Sequence, residues 1–130
     1  MNATWVVQSL LVGTGGFIGS ILRFGLSGLV HRWLPFASFP YGTLVVNIVG
    51  CSVLGALAGL AETRQIFGTE ERLFLFIGVL GGFTTFSTFG WETLSLLRDA
   101  ERLKAAVNVT LHIVVGLAGA WAGYAISKGW

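Results

Sequence analysis

The chain has 130 residues, of which 54% are hydrophobic and only 11% are charged, and its formal net charge is +2. This low charged fraction, together with 19 glycines, excludes an ordinary soluble domain and indicates a single integral membrane domain. The small net charge, without a basic run interleaved with aromatic residues, argues against nucleic acid as a partner.

The first predicted span covers about 5–30 and contains one charged residue, Arg23. No basic residue precedes its apolar core, as one would in a signal peptide, so we expect a retained span. A cation at membrane depth either anchors a helix at the interface or faces water, where it attracts anions, and the position of Arg23 leaves both open. Close contact with another helix is predicted by a face of small residues, Gly13, Gly15, Gly16 and Gly19.

The second predicted span covers 41–61 and is uncharged. An amide in hydrocarbon needs a partner, so Asn47 is either a contact between helices or a donor in a pore, and the residues alone favour the contact. Cys51 is the only cysteine, which excludes a disulfide framework and a cysteine-based metal site within one chain. We expect it to be a small buried hydrophobe.

The third predicted span covers 73–97, and its centre reads GGFTTFSTF at 81–89. A glycine pair beside hydroxyl residues allows a membrane helix to open, because Ser and Thr side chains, water or an ion can satisfy the freed backbone groups. We therefore predict a broken third helix that lines a site. Hydroxyl donors and the positive edges of aromatic rings at three-residue steps both suit an anion. The hydroxyls belong to Thr84, Thr85, Ser87 and Thr88, and the rings to Phe83, Phe86 and Phe89. Taken singly, each of these residues is more typical of helix packing.

The fourth predicted span covers 105–127, and Asn108, Thr110 and His112 are its polar members. Asn108 and His112 are four residues apart and share a face of the helix. A lone membrane histidine is more typical of packing than of metal binding, because no second histidine or acid lies at ligand spacing in this span.

The charges around these spans do not decide their orientation. Four crossings place three basic residues on one side and four on the other: Arg64, Arg72 and Lys128 against Arg32, Arg98, Arg102 and Lys104. So small a bias leaves both orientations accessible. Two oppositely inserted copies can then pair about a two-fold axis in the membrane plane, so we expect an antiparallel homodimer.

Three strings resemble a known family: GGFIGSILRF at 15–24, GTLVVNIVG at 42–50 and GVLGGFTTFSTFGWET at 78–93. Their order and spacing are similar, over nearly the whole chain, to the CrcB/Fluc family of small fluoride channels. The resemblance implies an all-α membrane protein that conducts fluoride passively through two pores. It also implies a dual-topology antiparallel homodimer, surrounded by lipid, in the bacterial inner membrane.

The resemblance also implies roles for individual residues, by matching position. The pore is expected to use two phenylalanines, a hydroxyl track, an asparagine and a vestibule arginine: Phe86 and Phe89, Ser87 and Thr88, Asn47, and Arg23. The backbone carbonyls of Gly81 and Thr84, from both subunits, resemble those that hold a central structural sodium ion.

The fourth span departs from the family pattern. Asn108 and His112 fall where many members carry tyrosine and serine, and Gly116 falls where a serine is usual. One hypothesis is that His112 donates to the ion, which would make conduction sensitive to pH.

Two rival functions remain open, and a third is excluded. A small dual-topology proton-coupled exporter needs a membrane-embedded carboxylate, and only Glu92, which we expect to be exposed at a span end, could serve. A membrane scaffold would explain the glycine faces but not the string of hydroxyls and phenylalanines. An enzyme is excluded because the sequence offers no acid pair, Ser-His-acid set or metal cluster that would face one site.

Overall fold

The computed structural model describes residues 3–129, and this part of the chain is all-helical apart from its connections. The helices are α1 (Ala3–Trp33), α2 (Tyr41–Arg64), α3 (Thr69–Arg72), a π-helical segment π1 (Leu73–Leu80), α4 (Gly81–Phe83), α5 (Phe86–Arg98) and α6 (Arg102–Lys128). Four stretches are long and apolar enough to cross a membrane: Thr4–Trp33, Tyr41–Arg64, Thr69–Arg98 and Arg102–Lys128. The chain is therefore a multi-pass membrane protein with the predicted number of spans, and Thr69–Arg98 is called the third span below.

Prolines and a glycine in a left-handed conformation lie at the ends of helices. Pro35 and Pro40 lie between α1 and α2, where a proline cannot continue the helical hydrogen bonds. Gly129 follows α6 with φ 81°, and its N–H donates to the carbonyls of Ala125 and Ile126. The connections are short, but the closest packing joins alternate spans, the first with the third and the second with the fourth.

The first span packs against the first half of the third span, mainly against π1 and α4. A Cβ atom at Gly78 would lie 2.9 Å from the Cα of Gly15, and one at Gly19 would overlap the carbonyl oxygen of Val79. The predicted close contact is confirmed at Gly15 and Gly19. It is wrong for Gly13, where no atom lies within 4 Å of an added Cβ. Because glycine has no side chain, these two spans touch backbone to backbone.

The second span packs mainly against α6. A Cβ at Gly55 would overlap the carbonyl of Ala120, and one at Gly123 would overlap the carbonyl of Ser52. The protomer therefore consists of two tightly joined pairs, α1 with the first half of the third span and α2 with α6. The second half of the third span, α5, lies against α6.

The third span changes conformation at Thr84 and Thr85. Thr84 has φ −81° and ψ 157°, and Thr85 has φ −150° and ψ 114°, so both are extended between α4 and α5. This pair changes the direction in which later side chains point. Phe83 is buried, with 8% of its surface exposed, whereas Phe86 is 82% exposed. The predicted stripe of three rings is therefore wrong for Phe83, because three-residue spacing places side chains on one face only within a continuous helix.

Candidate functional site

A groove of about 790 Å³ lies between α2, the third span and α6. Its lining includes six of the nine predicted site residues: Asn47, Gly81, Thr84, Phe86, Phe89 and His112. The other three, Ser87, Thr88 and Arg23, lie outside the lining. Cys51 also lines the groove and is half-buried, so the expectation of a small buried hydrophobe is met only in part.

The side chain of Asn47 holds the extended pair in place. Its Oδ1 accepts a hydrogen bond from the backbone N–H of Thr85 (2.8 Å), and its Nδ2 donates to the carbonyl of the same residue (3.0 Å). An extended residue at this depth has lost its intrahelical partners, and Asn47 satisfies both of its backbone groups. The structure therefore contains the predicted contact between helices. An amide carries two hydrogens, so these bonds use one and leave the second for another acceptor.

The hydroxyl of Thr85 forms hydrogen bonds with neighbouring groups at the start of α5. Its Oγ1 accepts from the backbone N–H of Thr88 (3.1 Å) and donates to the Oγ1 of Thr88 (3.0 Å), while the Oγ of Ser87 lies 3.2 Å away. Thr85 is thus the N-cap of α5. The resemblance did not assign Thr85 to the site, although threonine is one of the residue types preferred at a helix N-cap.

Three aromatic rings form a row beside the groove. The ring centroids of Phe86 and Phe89 are 5.4 Å apart with planes inclined by 54°. The centroids of Phe89 and His112 are 4.4 Å apart with planes inclined by 41°. Tilted rings at these distances interact favourably edge to face, so the row has a defined geometry. The ring of His112 occupies the third position in this row, which the sequence predicted for Phe83.

A chain of hydrogen bonds fixes the turn that carries Phe89 to α6. Asn108 is fully buried, and its Nδ2 donates to the Oγ1 of Thr93 (2.9 Å), which itself donates to the carbonyl of Phe89 (2.8 Å). Because the one hydroxyl hydrogen of Thr93 goes to that carbonyl, its oxygen must accept, and this sets the orientation of the Asn108 amide. Asn108 is therefore a positioning residue that the sequence did not identify. Gly116, on the same helix, is also buried.

Glu92 is half-buried against α2 rather than exposed at a span end. Its Oε1 accepts a hydrogen bond of 2.7 Å from the hydroxyl of Thr43 on α2. Its other oxygen, Oε2, is buried and has no hydrogen-bond partner among residues 3–129. The expectation that Glu92 is exposed is therefore wrong, because contact with α2 holds the carboxylate inward.

Arg23 is half-buried on α1 and lies apart from the groove. No residue of α1 appears in the groove lining, although α1 packs against π1 and α4, which both contribute residues to that lining. A single chain therefore does not bring Arg23 to the other predicted site residues.

Backbone oxygens are the candidate cation ligands in this part of the chain. Residues 3–129 contain no group of three or more His, Cys, Asp or Glu side chains that could hold a metal ion. Gly81 and Thr84 both line the groove where α4 ends. The N–H and the hydroxyl of Thr84 both donate to the carbonyl oxygen of Leu80. The carbonyls that follow Leu80 in the chain, including those of Gly81 and Thr84, lie at the end of a helix, where no further intrahelical N–H groups are available to them. Such oxygens fit a hard cation such as sodium.

These features define a class: a small multi-pass membrane protein with polar groups and an extended backbone pair beside a groove at membrane depth. Residues 10–124 match the protein-family model described as CrcB-like protein, Camphor Resistance (CrcB). The chain therefore belongs to the CrcB family.

Individual relatives match over most of their length. The chain is 50% identical over 121 residues to the "Fluoride-specific ion channel FluC" of Methylobacillus flagellatus, which covers 93% of this chain and 94% of the relative. It is 45% identical over 122 residues to the protein of the same name from Opitutus terrae, covering 92% of each. It is 43% identical over 114 residues to "Fluoride-specific ion channel FluC 1" of Methanosarcina acetivorans, covering 88% and 86%. The relatives are named as ion channels, in agreement with the prediction that the chain is not an enzyme.

Proposed function

We propose that this protein is a passive, fluoride-selective channel that lets cytoplasmic fluoride leave the cell across the plasma membrane, the inner membrane in a bacterium. The observation that carries the proposal is the groove where Asn47 holds the extended pair beside Phe86 and Phe89. The names of relatives up to 50% identical support fluoride as the ion.

The groups near the groove suit a small, strongly hydrated anion. A pore for fluoride must replace water with close donors and still release the ion. The second amide hydrogen of Asn47, the hydroxyls of Ser87 and Thr88, and the ring edges of Phe86 and Phe89 are donors of this kind. Arg23, outside the groove lining, would attract anions to the pore entrance.

A second, antiparallel copy of the chain would complete the path for the ion. In a single chain the open groove leaves polar atoms, such as the second amide hydrogen of Asn47, beside the membrane hydrocarbon, which is costly. A copy inserted in the opposite direction would cover them, and would also cover the ring of Phe86, which is 82% exposed. We propose that the extended pair is the functional break of the third helix and that the dual-topology homodimer has two pores.

A structural sodium ion would join the two copies. The carbonyls of Gly81 and Thr84 would hold it, and because one chain offers few oxygens at this point, a full coordination sphere needs both copies. When bound, the ion would supply positive potential near the pores.

A proton-coupled exporter is the second candidate, and one observation favours it. The Oε2 of Glu92 is buried without a hydrogen-bond partner in the described part of the chain, and a membrane-embedded carboxylate is what proton exchange requires. The two candidates differ in their driving force. An exporter uses a proton gradient to drive its substrate uphill, whereas a channel moves fluoride only down its own electrochemical gradient.

Fluoride efflux from vesicles tests the proposal. Purified protein would be reconstituted into vesicles loaded with potassium fluoride, and external fluoride would be followed with an ion-selective electrode. We expect efflux to start when the potassium ionophore valinomycin is added, because a channel moves net charge and needs a counter-ion. Accumulation of fluoride driven by a proton gradient alone would support the exporter.

Two variants connect efflux to the groove. Asn47→Ala removes both bonds to Thr85, and Phe86→Ile removes the exposed ring, so we expect either change to abolish efflux. Phe17→Ile, at an exposed phenylalanine of α1 outside the groove lining, should retain it. Size-exclusion chromatography would establish that all three variants keep the assembly of the unmodified protein. Normal efflux in both groove variants would contradict the assigned site.

A further inference from the structure

The histidine of the fourth span has a fixed tautomer. The Nδ1 of His112 lies 2.9 Å from the backbone carbonyl oxygen of Asn108. A carbonyl oxygen can only accept, so Nδ1 carries a hydrogen. In the neutral ring, Nε2 is then a bare acceptor with a lone pair. That nitrogen is buried and has no hydrogen-bond partner among residues 3–129.

His112 lies beside the proposed anion path. Its ring packs against Phe89 with a centroid distance of 4.4 Å, and both residues line the groove with Phe86 and Asn47. Asn108 supports both neighbours, because its side chain holds the Phe89 turn through Thr93 and its carbonyl holds the His112 ring. The position of Nε2 is therefore fixed relative to the ring of Phe89, which lines the proposed pore.

The two protonation states of His112 act in opposite ways on an anion. A lone pair on Nε2 repels fluoride, whereas an imidazolium presents an N–H donor and a positive charge at the same place. A buried charge without a partner is costly, and an anion in the groove would be such a partner. Binding of a proton and binding of an anion would then each favour the other.

We propose that His112 is a pH-dependent donor of the anion path, whose protonated ring donates Nε2–H to fluoride. This inference rests on the proposed function. It adds a donor that is present only when the ring is charged, unlike the hydroxyls of Ser87 and Thr88, which donate at any physiological pH.

Other titratable groups around His112 need to be separated from it. Cys51 faces the groove from α2, but a thiol ionises only at alkaline pH. Glu92 lies on α5 against Thr43 of α2, and its protonation at acid pH would also remove a negative charge. On α6 itself, Lys104 is paired with Glu101 at 2.9 Å. No other residue of the groove lining carries a titratable side chain.

The test is the pH dependence of fluoride efflux with the same pH on both sides of the vesicle membrane. Valinomycin would supply the counter-ion, and protein-free vesicles would correct for hydrofluoric acid that crosses lipid. We expect efflux of the unmodified protein to be on the order of tenfold faster at pH 5.5 than at pH 8, as a titrating histidine would produce. In His112→Gln the profile should become flat. His31→Gln, which changes the other histidine, should keep the tenfold rise.

Two further variants keep the inference falsifiable. His112→Ser replaces the ring with a hydroxyl that donates at every pH, so we expect efflux at pH 8 at least as fast as that of the unmodified protein, again with a flat profile. Glu92→Gln should keep a rise with acidity. A flat profile in Glu92→Gln together with a normal profile in His112→Gln would assign the effect to Glu92 and overturn the inference.

The failure of the inference is distinguishable from the failure of the proposed function. Efflux that is present but equal at both pH values in the unmodified protein would overturn the role of His112 alone. An unchanged pH profile in both His112 variants would do the same. A complete lack of valinomycin-dependent efflux at either pH would overturn both.

Discussion

The two halves of the third span are held by different kinds of contact. Before the extended pair, π1 and α4 touch α1 backbone to backbone, and Gly15, Gly19 and Gly78 leave no room for a side chain. After it, α5 is held by side-chain hydrogen bonds from Asn47 and Asn108. Close-packed backbones have little freedom to adjust, whereas a few polar contacts can be remade. The first half is thus a fixed support, whereas the position of the second half depends on a few side-chain hydrogen bonds.

The largest effect is expected from a side chain placed between the fixed elements. In Gly19→Ala the new Cβ would overlap the carbonyl of Val79 and lie 2.8 Å from the backbone nitrogen of Phe83. Because backbone atoms must move, we expect a loss of about 3 kcal/mol or more in the free energy of unfolding. Thermal unfolding in detergent measures it, and Gly13→Ala on the same helix is the matched control. Equal unfolding of the two variants would mean that backbone contact does not hold this half.

An intermediate effect is expected in the polar half. Thr85→Val keeps the shape of the side chain and the two backbone bonds to Asn47, but it removes the cap of α5. We expect a loss of about 1 kcal/mol and faster hydrogen exchange at the first amides of α5. Fluoride efflux should fall several-fold, because Ser87 and Thr88 lose their common partner.

Thr110→Val is the control for that change. Its hydroxyl is exposed and bonds to the carbonyl of Ala106 within its own helix. Its removal should leave both efflux and hydrogen exchange in α5 unchanged. If Thr85→Val behaves in the same way as Thr110→Val, the capping hydroxyl does not hold the second half in place.

The smallest effect is expected at an exposed polar cluster that joins the ends of α2 and α6. The Oε1 of Glu62 lies 3.1 Å from the Nζ of Lys128, and the hydroxyl of Tyr124 donates to the other oxygen of Glu62. Water and salt screen such contacts, so Glu62→Gln should lower the unfolding temperature slightly at low salt. High salt should remove the difference, and efflux should not change. If Glu62→Gln lowered the unfolding temperature strongly even in high salt, the cluster would be a major structural contact, like the close backbone contacts of α1.

Sequence reasoning succeeded where a single residue type decides the structure. Uncharged runs predicted four spans because hydrocarbon excludes charge over a fixed length. Small residues predicted close contact at Gly15 and Gly19 because glycine permits the nearest approach of two backbones. Asn47 was correctly expected to need a partner, since an amide at membrane depth cannot be left unpaired.

Sequence reasoning failed where the structure depends on contacts between distant elements. Phe83 was misplaced because helical periodicity does not extend across the extended pair. Glu92 was placed at the surface because its partner, Thr43, lies on another helix. The role of Asn108 could not be predicted, since it depends on Thr93, on the preceding helix, lying within 2.9 Å.

The π-helical segment before the extended pair determines the direction, about the helix axis, in which the later residues of the third span face. A π turn holds one residue more than an α turn, so the phase of the span shifts within Leu73–Leu80. Removing a single residue there would rotate the downstream chain by roughly 100° about its axis. Gly82 would then turn away from α1, where its missing side chain lets the carbonyl of Gly16 approach. Gly81 would leave the groove in the same movement. The number of residues in this segment, more than their identity, therefore determines which face of the span is turned toward the groove.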